Sequence, residues 1–196
     1  MNIVPVVLAA YLVGTIPFAL LLGRWFGGID VRHIGSGNVG AANVARSGGI
    51  ALALAVTALD AGKGAAAVWF AGWLAPGPVA PAVAGVAAIV GHVRPVWLRF
   101  RGGKGVATTG GVFAVLAPMA VAAATVVFVA TVWITRYVSL GSLLAAVALP
   151  PLVYLVGAPT ASVVAAVAVS AIVIGRHRMN LSRLLAGTER RLGQRA

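Results

Sequence analysis

The chain has 196 residues, 61% of them hydrophobic and 9% charged, with a mean hydropathy of +1.02. A soluble domain carries about 25% charged residues, so this balance excludes an ordinary soluble domain and describes one integral membrane domain over residues 1–196. Fifteen basic residues against three acidic ones give a net charge of +12, and the absence of cysteine excludes disulfides, thiolate metal sites and cysteine nucleophiles.

In chain order, the first apolar run is Ile3–Gly23. It lacks a basic leader and a small-residue cleavage site, so it reads as a retained transmembrane helix rather than a signal peptide. Further apolar runs follow at Ile50–Leu74, Val79–Leu98, Val106–Ala117, Met119–Thr135, Val138–Val156 and Ala161–Gly175. A crossing takes about 20 apolar residues as helix. The runs do not alternate polar and apolar residues as a barrel strand would, so the expected fold is an all-α membrane protein with about seven transmembrane helices. Val106–Ala117 is short for a full crossing. Fusing it with the next run would leave six crossings and place Arg136 on the far side; seven is the preferred count.

Alternating crossings put Arg24, Arg32, Arg46, Arg94, Arg99, Arg101, Lys104, Arg136 and the tail from Arg176 on one side. The breaks at Ala75–Pro81, Pro118 and Gly157–Thr160 carry no charge. The positive-inside rule then sets the N-terminus outside and the C-terminus in the cytoplasm. Much of the excess charge suits anionic lipid headgroups, and a chain without a soluble domain is no candidate for binding nucleic acid. In the tail, Leu181, Leu184, Leu185 and Leu192 fall near one helical face, as in a short interfacial helix.

Three polar islands interrupt the apolar chain, all on the expected cytoplasmic side. They are "HIGSGNVGAANVARSGG" from His33, "GHVRPVWLRFRGGKGVATTGG" from Gly91 and "GRHRMNLSRLLAGTE" from Gly175. In the second, Gly102, Gly103 and Gly105 surround Lys104 just before a helix start. Exposed amides, a helix N-terminus and a mobile charge form an anion-binding arrangement, although the Walker spacing is absent and a tight turn with a snorkelling lysine would read the same way. In the first island, Ser36, Gly37, Asn38, Asn43 and Arg46 offer a hydroxyl, amides and a guanidinium to a phosphate or a polyol; a self-satisfied re-entrant loop is the alternative. "LDAGKG" places Asp60 and Lys63 one turn apart inside an apolar run, as a pair that neutralises itself toward the bundle interior. His92 and His177 each stand at a helix end beside an island. Three histidines and three acids without ligand spacing give no metal signature.

Together these segments resemble the bacterial acyl-phosphate-dependent glycerol-3-phosphate 1-O-acyltransferase family over essentially the whole chain. The motifs are "GSGNVGAANVAR", "LDAGKG", "GHVRPVWLRFRGGKGVAT" and "HRMNLSRLLAGTE". One departure is Ala42, where the family pattern has threonine. The resemblance implies a multi-pass inner-membrane enzyme for the first step of phospholipid synthesis. It would move an acyl group from acyl phosphate to the 1-hydroxyl of glycerol 3-phosphate, giving lysophosphatidic acid and phosphate. It implies no cofactor and no metal. The implied partners are glycerol 3-phosphate, acyl phosphate, membrane lipids and, weakly, the enzyme that makes acyl phosphate. It implies catalytic parts for His92, His177 and Asn180. Substrate binding would fall to Ser36, Gly37, Asn38, Asn43, Arg46, Gly102, Gly103, Lys104 and Gly105, with support from Asp60, Lys63 and Ser142.

The chemistry fits these residues. Both substrates carry phosphate, and a mixed anhydride already has a good leaving group, so positioning and charge stabilisation supply rate without a protein nucleophile. A rival of another class is a membrane transporter or flippase for a phosphorylated small molecule, whose broken helices also aim at anions. A phosphatidyl- or prenyl-transferase is disfavoured because metal-binding aspartate clusters are missing.

Overall fold

The computed structural model describes residues 3–194, and among them every regular element is helical. The first apolar run is broken in two, α1 (Val4–Gly14) and α2 (Phe18–Gly27). Pro17 has no N–H and cannot continue a helix, so the chain unwinds over Thr15–Pro17. α3 (Ala41–Ser47) is a short helix within the first polar island. The long α4 (Ile50–Leu74) follows, then α5 (Val79–Val93), a single 3-10 turn at Val96–Leu98, and α6 (Val106–Leu116). The second half is α7 (Pro118–Thr135), α8 (Val138–Leu155), α9 (Thr160–Arg176) and α10 (Arg178–Leu185).

Among the described residues, five segments are long and apolar enough to cross a membrane: Val4–Gly27, Ile50–Leu74, Val79–Leu98, Pro118–Thr135 and Val138–Leu155. α9 and α10 form a sixth only as a pair bent by 57°. α6, with 11 residues, is about 16 Å long at 1.5 Å per residue, half of a bilayer core. Its start nevertheless adjoins the site loop, while its end lines an apolar cavity with Trp73, Pro78 and Pro159 at the turns of the opposite face. α7 then returns: the Arg136 carbonyl accepts from the Leu192 N–H at 2.7 Å, and the Arg136 guanidinium donates to the Leu192 carbonyl at 3.0 Å. Arg136 therefore lies with the tail, not across from it.

Small residues let the helices close on one another, as packing in lipid requires. Gly111 on α6 sits against the Ala61 carbonyl of α4, and Gly64 on α4 sits against Thr108 of α6. The larger core gathers Val68, Ile89, Val112, Phe113, Val153 and Val169 from α4, α5, α6, α8 and α9. A separate cluster of Leu20, Val31, Val39, Val44 and Val56, with Leu98 against it, fixes the first island onto α2 and α4.

The expected tail helix is shorter than its leucine pattern. α10 stops at Leu185, Gly187 turns the chain with φ +68°, and Leu192 lies beyond it. Past that turn the Thr188 N–H closes on the Arg183 carbonyl at 2.8 Å, and the Glu189 carboxylate is drawn back to Arg183 and Asn180.

Candidate active site

The first island is a self-built loop. Asn43 is buried at its centre and its carboxamide is fully engaged. The Oδ1 accepts from the Ser36 N–H at 3.0 Å and from the Ser36 hydroxyl at 3.3 Å, while Nδ2 donates to the carbonyls of Val31 at 2.8 Å and Ile34 at 3.0 Å. Asn43 thus organises the loop instead of offering its amide outward. Gly37 takes φ +66°, a backbone that favours glycine. Ser36, Gly37 and Arg46 remain exposed, with Asn38 half-buried. Upstream, Arg32 and Arg24 both grip Asp30, at 2.6 and 2.8 Å, and hold its carboxyl well below the usual range.

The second and third islands are tied together. Gly102 and Gly103 donate their N–H groups to the carbonyls of Val93 and His92, each at 3.1 Å. The Arg176 guanidinium holds the other edge, donating to the carbonyls of Gly102 at 3.0 Å and Gly103 at 3.2 Å. Gly105 follows with φ +88° and opens α6. Lys104 donates to Asn180 Oδ1 at 2.6 Å, and Asn180 Nδ2 donates to Glu189 Oε1 at 2.6 Å. His177 is buried, and its Nδ1 lies 2.8 Å from the Val173 carbonyl. A carbonyl only accepts, so Nδ1 carries the proton and Nε2 is the acceptor.

Sequence reasoning gave Glu189 no role in the site. It is the hub: Ser139 donates to Oε1 at 2.7 Å and Arg183 to Oε2 at 2.7 Å, besides Asn180. Burial pushes this carboxyl up, but the hydrogen bonds from Arg183, Asn180 and Ser139 outweigh it and hold the group below its usual value. As one of three acids in a chain of +12, Glu189 carried a signal that could have been read. Ser142, expected to support the site, bonds the Val138 carbonyl of its own helix at 2.9 Å; Ser139, a turn earlier, makes the contact.

With Glu189 so engaged, the cations around it are unmatched. Among the described residues neither Lys104 nor Arg46 has a carboxylate within 4 Å. Burial brings Lys104 down to about 8; Glu189 opposes this, and Arg183, Arg46 and Arg176 add to it. Burial, then Arg190, also lowers Arg46, with Glu189 opposing, although a guanidinium remains charged at any working pH. Basic groups from all three islands therefore converge with more positive charge than the protein itself neutralises.

The last part lies deeper. Asp60 and Lys63 pair at 2.6 Å, their side chains 4% and 3% exposed, as expected for an i,i+3 pair facing inward. Lys63 also donates to the Ile16 carbonyl at 2.8 Å. His92 Nδ1 is 3.5 Å from Asp60 Oδ1. His33 is exposed on the first loop.

Fold and site define a multi-pass helical membrane protein with an anion-attracting centre at one end of its bundle. The family model described as glycerol-3-phosphate acyltransferase matches residues 4–187. The glycerol-3-phosphate acyltransferase of Mesorhizobium japonicum is 50% identical, over 93% of this chain and 92% of its own length. That of Parasynechococcus marenigrum is 45% identical, over 99% and 95%. The crystal structure of PlsY, an integral membrane glycerol 3-phosphate acyltransferase, in its glycerol 3-phosphate form superposes with a TM-score of 0.92. It is 36% identical and covers 97% of this chain and 96% of that one. Its lysophosphatidic acid form superposes with a TM-score of 0.90 at 35% identity. The chain belongs to the glycerol-3-phosphate acyltransferase family. This membership decides for an acyltransferase over a transporter.

Proposed function

We infer that the chain acylates glycerol 3-phosphate to lysophosphatidic acid, taking the acyl group from acyl phosphate at the cytoplasmic face of the inner membrane. The observation that carries the site is the unmatched charge of Lys104 and Arg46 beside a glycine loop whose amides and carbonyls are already fixed. Two phosphorylated substrates are the anions that such a centre is built to take. Lys104 and the N-terminus of α6 hold one phosphate, and Arg46 with the Ser36–Asn38 backbone holds the other.

The glycerol 3-phosphate 1-hydroxyl attacks the acyl carbon, a C–O ester bond forms, and the bond from that carbon to the phosphate oxygen breaks. Phosphate leaves with the electron pair and takes the hydroxyl proton, giving lysophosphatidic acid and inorganic phosphate. No protein base is needed because the leaving dianion is one. His177 and Asn180 orient the reacting groups, with Asn180 held by Glu189. The acyl chain lies among the alanine- and valine-rich helices, in contact with membrane lipids, and the donor arrives from the enzyme that makes acyl phosphate.

The reading is tested by purifying the chain and following phosphate release from acyl phosphate. Release should depend on added glycerol 3-phosphate and match lysophosphatidic acid formed one for one; release without the acceptor would mean a phosphatase. The seven-crossing, N-terminus-outside orientation is tested with single cysteines at Ala80, Arg101, Ala158 and Gln194. A membrane-impermeant thiol reagent should reach the first and third from outside, and labelling at 194 would overturn the orientation.

A further inference from the structure

The Asp60–Lys63–His92 cluster is buried and charged. It is also in contact with the loop that carries Lys104. The contact is through Gly103. A side chain there would land on the His92 imidazole, with Nε2 as its nearest neighbour. Gly103 is absent from the positive-φ glycines, so backbone conformation does not demand glycine; the histidine ring does.

Each part of the cluster has one arrangement. The break at Pro17 leaves the Ile16 carbonyl without its helical donor, and the Phe18 N–H at 3.2 Å takes that place. The Lys63 ammonium donates to the same carbonyl at 2.8 Å while neutralising Asp60 at 2.6 Å. Asp60 Oδ1 then faces His92 Nδ1 at 3.5 Å, a charge contact rather than a hydrogen bond, with the Nε2 edge of the ring toward Gly103. The His92 backbone carbonyl meanwhile accepts the Gly103 N–H at 3.1 Å. One residue therefore holds the glycine by its amide and forms the surface beneath its Cα. Arg176 holds the carbonyls from the other side. A segment fixed on three sides has little freedom left, and the next residue is Lys104.

We propose that Asp60, Lys63 and His92 form a buried positioning device that sets the Gly102–Gly103 backbone, and through it the Lys104 ammonium, for substrate phosphate. His92 is in this account a positioning residue and not a base. The proposal rests on the reading of the glycine loop as a phosphate site.

Gly103→Ala, His92→Ala and the double variant should be compared in the purified enzyme for kcat, KM for glycerol 3-phosphate and Tm. Misplacing a catalytic contact by about 1 Å costs on the order of 100-fold, and Gly103→Ala should lose about that in kcat/KM. In the His92→Ala background the same change should cost no more than about threefold, because contacting residues are non-additive. Independent, multiplying losses would overturn the proposal. A second pair separates positioning from stability. Asp60→Leu with Lys63→Met removes both charges without leaving one bare, so Tm should stay within about 5 °C of the parent. The turnover should still fall at least about tenfold, since His92 has lost the carboxylate that faces its Nδ1. A folded double variant with parental kcat would overturn the device. Lys104→Ala distinguishes the two layers. Parental kinetics there would remove the phosphate-site reading and with it the proposal's link to catalysis, while the His92–Gly103 coupling in Tm would persist.

Discussion

Lys63 and Lys104 are both lysines drawn out of water, and they are matched differently. Lys63 has a carboxylate at 2.6 Å and a backbone carbonyl at 2.8 Å. Lys104 has a neutral carboxamide at 2.6 Å and three arginines whose charges oppose its own. The first lysine is complete inside the protein. The second needs an anion that the protein does not supply, because the nearby Glu189 is already taken by Arg183, Asn180 and Ser139. In a chain with few charges, the residual charge of a cluster distinguishes a structural pair from a binding centre better than burial does.

The difference is largest in stability. Removing one member of a buried ion pair leaves a bare charge and costs about 3–5 kcal/mol. Lys63→Ala should therefore unfold readily in detergent, with a large drop in Tm, whereas Lys104→Ala should keep its Tm or gain slightly as repulsion is relieved. Equal drops in the two variants would erase the distinction drawn between them.

Activity should divide the other way. A hydrogen bond to a charged group contributes about 1.5–3 kcal/mol, so Lys104→Ala and Arg46→Ala should each lower kcat/KM for glycerol 3-phosphate by roughly 10- to 150-fold in fully folded protein. Parental kinetics in either purified variant would remove that residue from the phosphate centre.

A third consequence concerns pH. A lysine is cationic below its pKa, and Lys104 sits at about 8 rather than 10.5. In the proposed role its attraction for phosphate is largely present at pH 7 and is lost as pH rises through 8. kcat/KM for glycerol 3-phosphate should fall by about tenfold per unit above that point. Lys104→Arg, if active, should lack this limb up to pH 10, because a guanidinium does not titrate there; an unchanged limb would assign it to another group.

The sequence pattern made the apolar helices legible because lipid imposes a length and a composition on each crossing. It also placed the three islands on one face through their charge, and the pairing of Asp60 with Lys63 through i,i+3 spacing. Other features were not legible for identifiable reasons. The break between α1 and α2 was hidden because Ile16 and Pro17 are themselves apolar. The bonds that Asn43 makes to Ser36, Val31 and Ile34 were not legible, because polarity alone does not reveal a side chain's partners. The need for glycine at 103 came from His92, eleven positions earlier, a contact that only folding creates. Leu192 fitted a helical wheel whose helix ends seven residues before it, at Leu185.

The smallest predicted effect lies with the histidines. His92 has Nδ1 turned to Asp60 and its Nε2 edge against Gly103, and His177 has Nδ1 on the Val173 carbonyl. Of these two histidines, His177 alone has an imidazole nitrogen, Nε2, without one of these neighbours. A histidine base gives an acid limb of kcat at its own pKa; for His177, burial and then the Lys104 charge bring this down to about 4, and glutamine in its place would abolish that limb. A phosphate monoester also titrates, with a second pKa of about 6, so a substrate-assisted reaction shows an acid limb that no side-chain replacement removes. His92→Gln and His177→Gln should both retain the limb while rate or KM changes. The two outcomes differ in the shape of the profile and not only in its height, so a partly misfolded preparation does not mimic either. Loss of the limb in one variant alone would name that histidine as the base and end the substrate-assisted account.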